Sequence, residues 1–94
     1  MQIVQIVSSS GKTFNTDWVL EAETRNGTQQ LIMNLTGELD PAEVITELEG
    51  QAQIVGIKEN GNRNTYERYT LFHSLIVALD GKSMRLTLER KNAA

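Results

Sequence analysis

The 94-residue chain contains no cysteine, one proline and one histidine. Without cysteine there is no disulfide framework, no thiolate zinc site and no cysteine nucleophile. No stretch approaches the roughly eighteen apolar residues of a membrane-spanning helix, and Met1–Val7 lacks the positive n-region and apolar core of a signal peptide. We therefore expect a cytoplasmic, soluble protein made of a single domain, residues 1–94, with a frayed tail at 92–94.

Charge is divided unevenly along the chain. Residues 1–50 carry two basic and eight acidic side chains, whereas residues 51–94 carry seven basic and four acidic ones. The overall net charge of −3 disfavours general binding to nucleic acid or to an anionic membrane. Either the two halves interleave in the fold, or the protein has two unlike faces suited to head-to-tail self-association.

One helix is predicted, over residues 40–50. Asp40 can cap its first turn, Pro41 suits its first position, Glu43 can complete a capping box, and Gly50 is typical of a helix end. The apolar side chains share one face: Val44, Ile45 and Leu48. The acidic ones are expected on a solvated face: Glu43, Glu47 and Glu49. About ten residues are marginal as an isolated helix, so the apolar face is expected to pack on a sheet.

Alternating apolar and polar residues before this helix predict strands. Residues 2–7 form a first strand, Ser8–Gly11 a turn, and residues 12–16 pair back briefly. A hairpin over residues 18–36 has Asn26-Gly27 at its tip, a dipeptide that favours a two-residue type I′ turn. In that register six apolar side chains share one face: Trp18, Leu20, Ala22, Leu31, Met33 and Leu35. Glu21 and Glu23 then point outward.

After the helix we expect a strand over residues 51–58, a polar loop, a long strand over 66–79 and a last strand over 83–90. A turn at Asp80-Gly81 pairs Val77 with Met84 and Leu75 with Leu86. The predicted fold is α+β, with antiparallel sheet or sheets in the order βββ-α-βββ and one short helix packed on the sheet. The last strands are long enough that the sheet either curls or splits into two layers.

Few residues suggest chemistry. The triplets at 11–13 and 81–83 end like phosphate loops, but the positions that should carry glycine hold Ile6 and Ile76, and no helix pattern follows. His73 lies inside the long predicted strand with no cysteine to share a metal, so we interpret it as an ordinary strand residue. The sequence predicts no catalytic, cofactor-binding or metal site, no cofactor, and a protein that is not an enzyme.

Five residues form an aromatic and basic cluster: Lys58, Arg63, Tyr66, Arg68 and Tyr69. Such residues stack bases in single-stranded nucleic acid, but they are also favoured at protein–protein hot spots. Because the chain is acidic, we take four of them as candidate protein-interaction residues, with nucleic acid as the alternative: Arg63, Tyr66, Arg68 and Tyr69. Exposed sheet edges, such as the strand at residues 2–7, would also invite strand addition by a neighbour.

The order of these motifs resembles a known group of proteins. Residues 10–14 followed by Trp18, a mid-chain helix, and residues 66–70 leading to Asp80-Gly81 are similar to small proteins of Gram-positive phages and prophages, which sit among structural and tail genes. The chain departs from that pattern at Arg68, where a small residue such as glycine is expected between the tyrosines. The resemblance implies a virion or assembly component and brings no catalytic or binding residues.

Two hypotheses about function follow. The first is a non-enzymatic phage- or prophage-type structural or assembly protein that contacts copies of itself, as a homo-oligomer, or other phage or host proteins. It would be found in the cytoplasm or in the virion, without a membrane partner. The second is a monomeric adaptor or inhibitor that binds one host or phage protein through the acidic first half.

Overall fold

The computed structural model describes residues 2–48, 53–69, 71–78 and 80–90, with the backbone alone for 71–74. Within these residues the chain forms seven strands and one helix: β1 (Ile3–Val7), β2 (Thr13–Glu23), β3 (Gln29–Thr36), α1 (Pro41–Leu48), β4 (Gln53–Lys58), β5 (Arg63–Glu67), β6 (Leu71–Val77) and β7 (Ser83–Arg90). The strands make one antiparallel sheet in the order β5-β4-β1-β2-β3-β7-β6. The predicted α+β class is confirmed, and the sheet is single.

The long strand predicted at residues 66–79 is two strands, which gives four strands after the helix. Arg68 has a φ of 63°, a left-handed backbone conformation through which an extended strand does not continue. The chain therefore leaves β5, which pairs with β4, and enters β6, which pairs with β7 at the opposite edge of the sheet. In the last hairpin the predicted pairs Val77–Met84 and Leu75–Leu86 are confirmed.

Three hairpins share one kind of turn, at Ser8–Lys12, Thr24–Thr28 and Lys58–Asn62. In each, the fourth residue is a glycine whose N–H donates to the first residue's carbonyl, over 2.9 to 3.0 Å. The first residue's N–H donates to the fifth residue's carbonyl, over 2.8 to 2.9 Å. Gly27 has a φ of 77°, and Asn26 is not among the described residues with positive φ. The tip of the β2–β3 hairpin is thus a three-residue loop ending in a left-handed glycine, and not the predicted type I′ turn.

The longer loop changes the register of β2 against β3 by one residue. Leu20 pairs with Ile32 and Glu21 with Leu31, so the predicted pairing of Leu20 with Met33 is wrong. Because side chains alternate along a strand, a one-residue shift exchanges the two faces. The β3 side chains predicted to be buried do face the core, but on β2 the apolar side chains Trp18, Leu20 and Ala22 lie on the opposite face.

A bulge at Asp17 keeps the first part of β2 in phase with the core. The pairing shifts between Thr16, opposite Leu35, and Trp18, opposite Asn34. Phe14 and Thr16 are buried before the bulge, and Val19 packs against the core after it. Residues 13–23 form a single strand that pairs first with β1 and then continues along β3, where the sequence predicted two separate pieces.

Helix α1 confirms the predicted start and apolar face. The Asp40 carboxylate accepts a hydrogen bond from the Ala42 N–H at 3.0 Å, and Val44 and Leu48 are fully buried. Ile45 is half-buried, whereas Glu49 and Gly50 lie outside the described residues, as does the tail predicted at 92–94. The helix packs into a core formed by one face of the sheet: Ile3, Ile6, Phe14, Leu31, Met33, Leu35, Val44, Leu48, Ile54, Tyr66, Tyr69, Met84, Leu86 and Leu88.

The sheet is strongly curved around this core. An Arg90 guanidinium nitrogen in β7 donates to the Glu67 carbonyl in β5 at 2.6 Å. These strands are five steps apart in the sheet, which would be about 24 Å in a flat one. The strand at residues 2–7 is not an edge, contrary to the prediction, because β1 pairs with both β2 and β4. The acidic first half supplies the central strands, and both edges, β5 and β6, come from the basic second half.

Candidate interaction surfaces

The four predicted interaction residues separate into a buried pair and an exposed pair. Tyr66 and Tyr69 are 5% and 3% exposed and belong to the core, where their rings meet edge to face with centroids 6.4 Å apart. Arg63 in β5 and Arg68 just after it are exposed. The two arginines are therefore the members of this group that lie on the surface, along one edge of the sheet. Their role in binding stays a prediction.

Sequence reasoning missed Arg90, which joins the tyrosine pair to the sheet. Its guanidinium lies 4.7 Å from the centre of the Tyr69 ring, a cation–π geometry, and it donates to the side-chain oxygen of Gln29 as well as to the Glu67 carbonyl. Nothing in the spacing of Tyr69 and Arg90 signals this contact, because it depends on the curvature of the sheet. Arg90 holds the end of β5 against β7.

Both tyrosines are less acidic than an exposed phenol. Burial raises the pKa of Tyr66 above its ordinary value of 10.0, although a hydrogen bond with Asn64 acts in the opposite direction. Burial also raises the pKa of Tyr69, and here the positive charge of Arg90 opposes the effect. The carboxylate of Glu21 adds to the rise in pKa at both rings. The two phenols are thus neutral near pH 7 and serve the packing of the core.

Glu21 and Glu23 are exposed as predicted, but they lie at the rim of the concave face, and the prediction that Leu20 points inward is wrong. Glu21 pairs with Leu31, whose side chain is in the core. A shallow cleft of about 300 Å³ at this rim is lined by Glu21, Ala22, Glu23, Gln29, Tyr69 and Arg90. The cleft brings acidic side chains of the first half beside a cation of the second half.

The acidic side chains of α1 contact the β1–β2 turn, with Glu43 exposed as predicted and Glu47 half-buried. The Glu47 carboxylate accepts hydrogen bonds from the hydroxyls of Ser10 and Ser8, the latter at 2.9 Å, and Lys12 Nζ lies 2.6 Å from Glu43 Oε1. The Ser10 and then the Ser8 hydroxyl lower the pKa of Glu47, and the bond to Glu43 raises the pKa of Lys12. Five polar side chains therefore fasten the helix to the β1–β2 turn, and the predicted turn itself is confirmed.

The convex side of the sheet, which we call the outer face, carries both apolar and polar side chains. It consists of three rows that the pairing places side by side across β2, β3, β7 and β6: Trp18, Asn34, Arg85 and Ile76; Leu20, Ile32 and Thr87; Ala22, Gln30 and Glu89. Leu20 and Ile76 are 56% and 55% exposed, the largest values among the described large apolar side chains. Leu20 lies directly opposite Ile32 and two residues from Trp18, so these three form a continuous apolar area.

Several other features bear on function. His73 lies in β6 where the pairing with β7 shifts, and its side chain lies outside the described residues. In the described ranges no three histidine or carboxylate side chains lie close enough to hold a metal ion. None of the helical structure described has the length and hydrophobicity to cross a membrane.

Comparison with known proteins gives no relative. A scan against models of protein families, a search of curated proteins and a search of solved structures each found no match to this chain.

Proposed function

We propose that this protein is a non-enzymatic structural or assembly protein of the phage or prophage type, which acts through contacts with other proteins. The observation that carries the contact function is the apolar area on the outer face, whereas the phage type is supported by the resemblance of the motif order. The core is already supplied by the concave face, yet Leu20 remains more than half exposed beside Ile32 and Trp18. Contiguous apolar surface on a small domain is typical of sites that contact another protein.

The edges of the sheet support the same function. Strand β5 is an edge strand, so apart from the Glu67 carbonyl, which accepts a hydrogen bond from Arg90, its outer backbone groups can pair with an added strand. Arg63 and Arg68 lie along it. Arginine is enriched in protein interfaces because its planar guanidinium makes several hydrogen bonds at once. The edge therefore offers backbone pairing and directed polar contacts in the same place.

Absolute mass by light scattering behind a sizing column tests the proposal. The full chain is measured over a wide range of concentration, at low and at high salt. We expect the mass to exceed that of the monomer and to depend on concentration. A strict monomer under every condition contradicts self-assembly and favours the adaptor or inhibitor instead, for which a pull-down would be the next experiment.

The phage-type origin needs a separate test. Particles released on induction of the source strain would be purified and their proteins identified by mass spectrometry. We expect this chain in the particles or in their assembly intermediates. Its absence from both, while the chain is abundant in the cell, contradicts a virion or assembly role.

A further inference from the structure

We propose that the outer face is the contact between two copies of this chain, packed sheet against sheet about a two-fold axis. The inference rests on the proposed contact function and names its partner and surface. The axis runs across the strands at the level of Leu20, Ile32 and Thr87. Each strand then lies over the same strand of the second copy in the reversed direction, close to the aligned packing of two sheets.

The three rows of the outer face are complementary under this rotation. The middle row meets itself, so Leu20 contacts Leu20 and Ile32 contacts Ile32 of the second copy. The two outer rows exchange places, because Trp18 and Ala22 lie two residues before and two residues after Leu20 on the same face of β2. Trp18 of one copy therefore faces Ala22 of the other. The largest side chain of the outer face therefore meets its smallest, which allows two sheets to approach without a void.

The charges are complementary under the same rotation. Arg85 and Glu89 lie on β7, each two residues from Thr87, so Arg85 of one copy faces Glu89 of the other, twice in the dimer. Arg85 is exposed, and no carboxylate of the described residues lies within 4.0 Å of it. Glu89 accepts a hydrogen bond from Gln30, and a carboxylate can accept further ones. Asn34 and Gln30 exchange places in the same way and can donate to and accept from each other.

The size of the outer face sets the expected strength of the contact. The outer face is four strands wide, at about 4.8 Å between strands, and five residues long, at about 3.4 Å per residue. This gives roughly 300 Å² of sheet per copy. The convex curvature limits the contact further, so the dimer belongs to the small and weak end of specific interfaces. The association is expected in the concentration range between about 1 µM and about 1 mM.

Sedimentation analysis of the full chain over that range tests the inference, with circular dichroism of every variant to verify its fold. Leu20→Asp should abolish the dimer, because it places two carboxylates face to face at the axis. Leu20 is exposed, so this change does not disturb the core. Arg85→Glu should weaken the dimer by about fivefold or more, and adding Glu89→Arg should restore it, since the pair is then reversed on both copies. Lys82→Glu, an equal charge reversal at an exposed residue of the β6–β7 turn and outside the three rows, is the matched control and should leave dimerisation unchanged.

The other possible outcomes contradict different parts of the two proposals. If the wild type associates but Leu20→Asp and Arg85→Glu associate equally well, the outer face is not the contact, and the proposed function stands with another surface. If the mass grows beyond a dimer with concentration, association is head to tail and the two-fold packing is wrong. A wild type that remains monomeric up to about 1 mM overturns this inference together with the self-assembly part of the proposed function.

Discussion

Arg68 joins the two edges of the sheet through an unfavourable backbone conformation. Its φ of 63° is tolerated easily by glycine and costs other residues about 1 kcal/mol or more, because Cβ approaches the carbonyl oxygen. Arg68 is also exposed, so its side chain is not fixed by the core. An exposed arginine in this conformation is consistent with a residue kept for contact and not for stability.

Replacing Arg68 by glycine is therefore expected to stabilise the protein. We expect a gain of up to about 1 kcal/mol, which for a domain of this size raises the melting temperature by about 4–8 °C per kcal/mol. Arg68→Ala is the control, because it removes the same guanidinium but keeps Cβ and the strain. Thermal melts compare the melting temperatures of the wild type and the two variants. A glycine variant that melts no higher than the alanine variant contradicts the idea that the left-handed backbone at Arg68 is unfavourable.

The ionised carboxylate of Glu47 stabilises the folded protein. Its folded pKa is lowered from 4.5 by hydrogen bonds, first from Ser10 and then from Ser8. A lowered pKa means that the ionised side chain is stabilised by the fold, so this contribution is complete above about pH 4.5 and is lost as the pH falls through the folded pKa.

Glu47→Gln should therefore lower stability most at neutral pH. The difference from the wild type should decline as the pH falls below 4.5, because protonated glutamate and glutamine then make similar contacts. Denaturant unfolding at a series of pH values measures it. The same substitution in a Ser8→Ala/Ser10→Ala background is the control and should show little dependence on pH. An equal pH dependence in both backgrounds would assign the effect to other groups.

At the scale of elements, α1 is attached to the sheet in two ways. Its apolar face enters the core through Val44 and Leu48, and its acidic side chains bind the β1–β2 turn. A helix of eight residues is too short to be stable alone. Most of its stability must then come from the buried face, with the turn contacts fixing its position.

Leu48→Asp should be strongly destabilising because it puts an unpaired charge under the helix. We expect a loss of about 3 kcal/mol or more in the free energy of unfolding. Thr46→Asp is the matched control, since Thr46 is exposed on the same helix and the change should stay within about 0.5 kcal/mol. Urea unfolding measures the free energy of unfolding of both variants and of the wild type. Equal midpoints for the two variants would mean that the buried face of the helix has been assigned wrongly.

At the scale of the whole molecule, a curved sheet separates two roles. The concave face, with the helix, forms the core, and the outer face is the one that we propose for contact with a partner. The curvature brings β5 and β7 together, and Arg90 occupies the place where they meet. Because this contact joins strands at distant positions of the sheet, it stabilises the curvature itself.

Removing Arg90 should loosen this closure. Arg90→Met keeps the aliphatic stem but removes the hydrogen bonds to Glu67 and Gln29 and the cation–π contact, at an expected cost of about 1–3 kcal/mol. Arg85→Met, on the same strand but on the outer face, is the control. Hydrogen exchange should also show faster opening of the amides of β5 in Arg90→Met. Unchanged stability and exchange would mean that the sheet is curved without this contact.

Local sequence signals were enough to predict the helix, the presence of most strands and the last hairpin. These follow from local chemistry: Asp40 and Pro41 start the helix at a fixed place, and Asp80-Gly81 with alternation on both sides fixes the pairing of Leu75 with Leu86. Each of these signals lies within a few residues of the structure that it specifies.

Which face of β2 is buried, and which strands lie at the edges, depends on the packing of the whole sheet. Asn26-Gly27 is compatible with a two-residue or a three-residue loop, and the choice exchanges the faces that carry Leu20 and Glu21. The bulge at Asp17, the reversal at Arg68 and the contact of Arg90 with Tyr69 depend on neighbours far away in the chain. The candidate surfaces depend on these choices, because the outer face exists only in the register that the folded sheet selects.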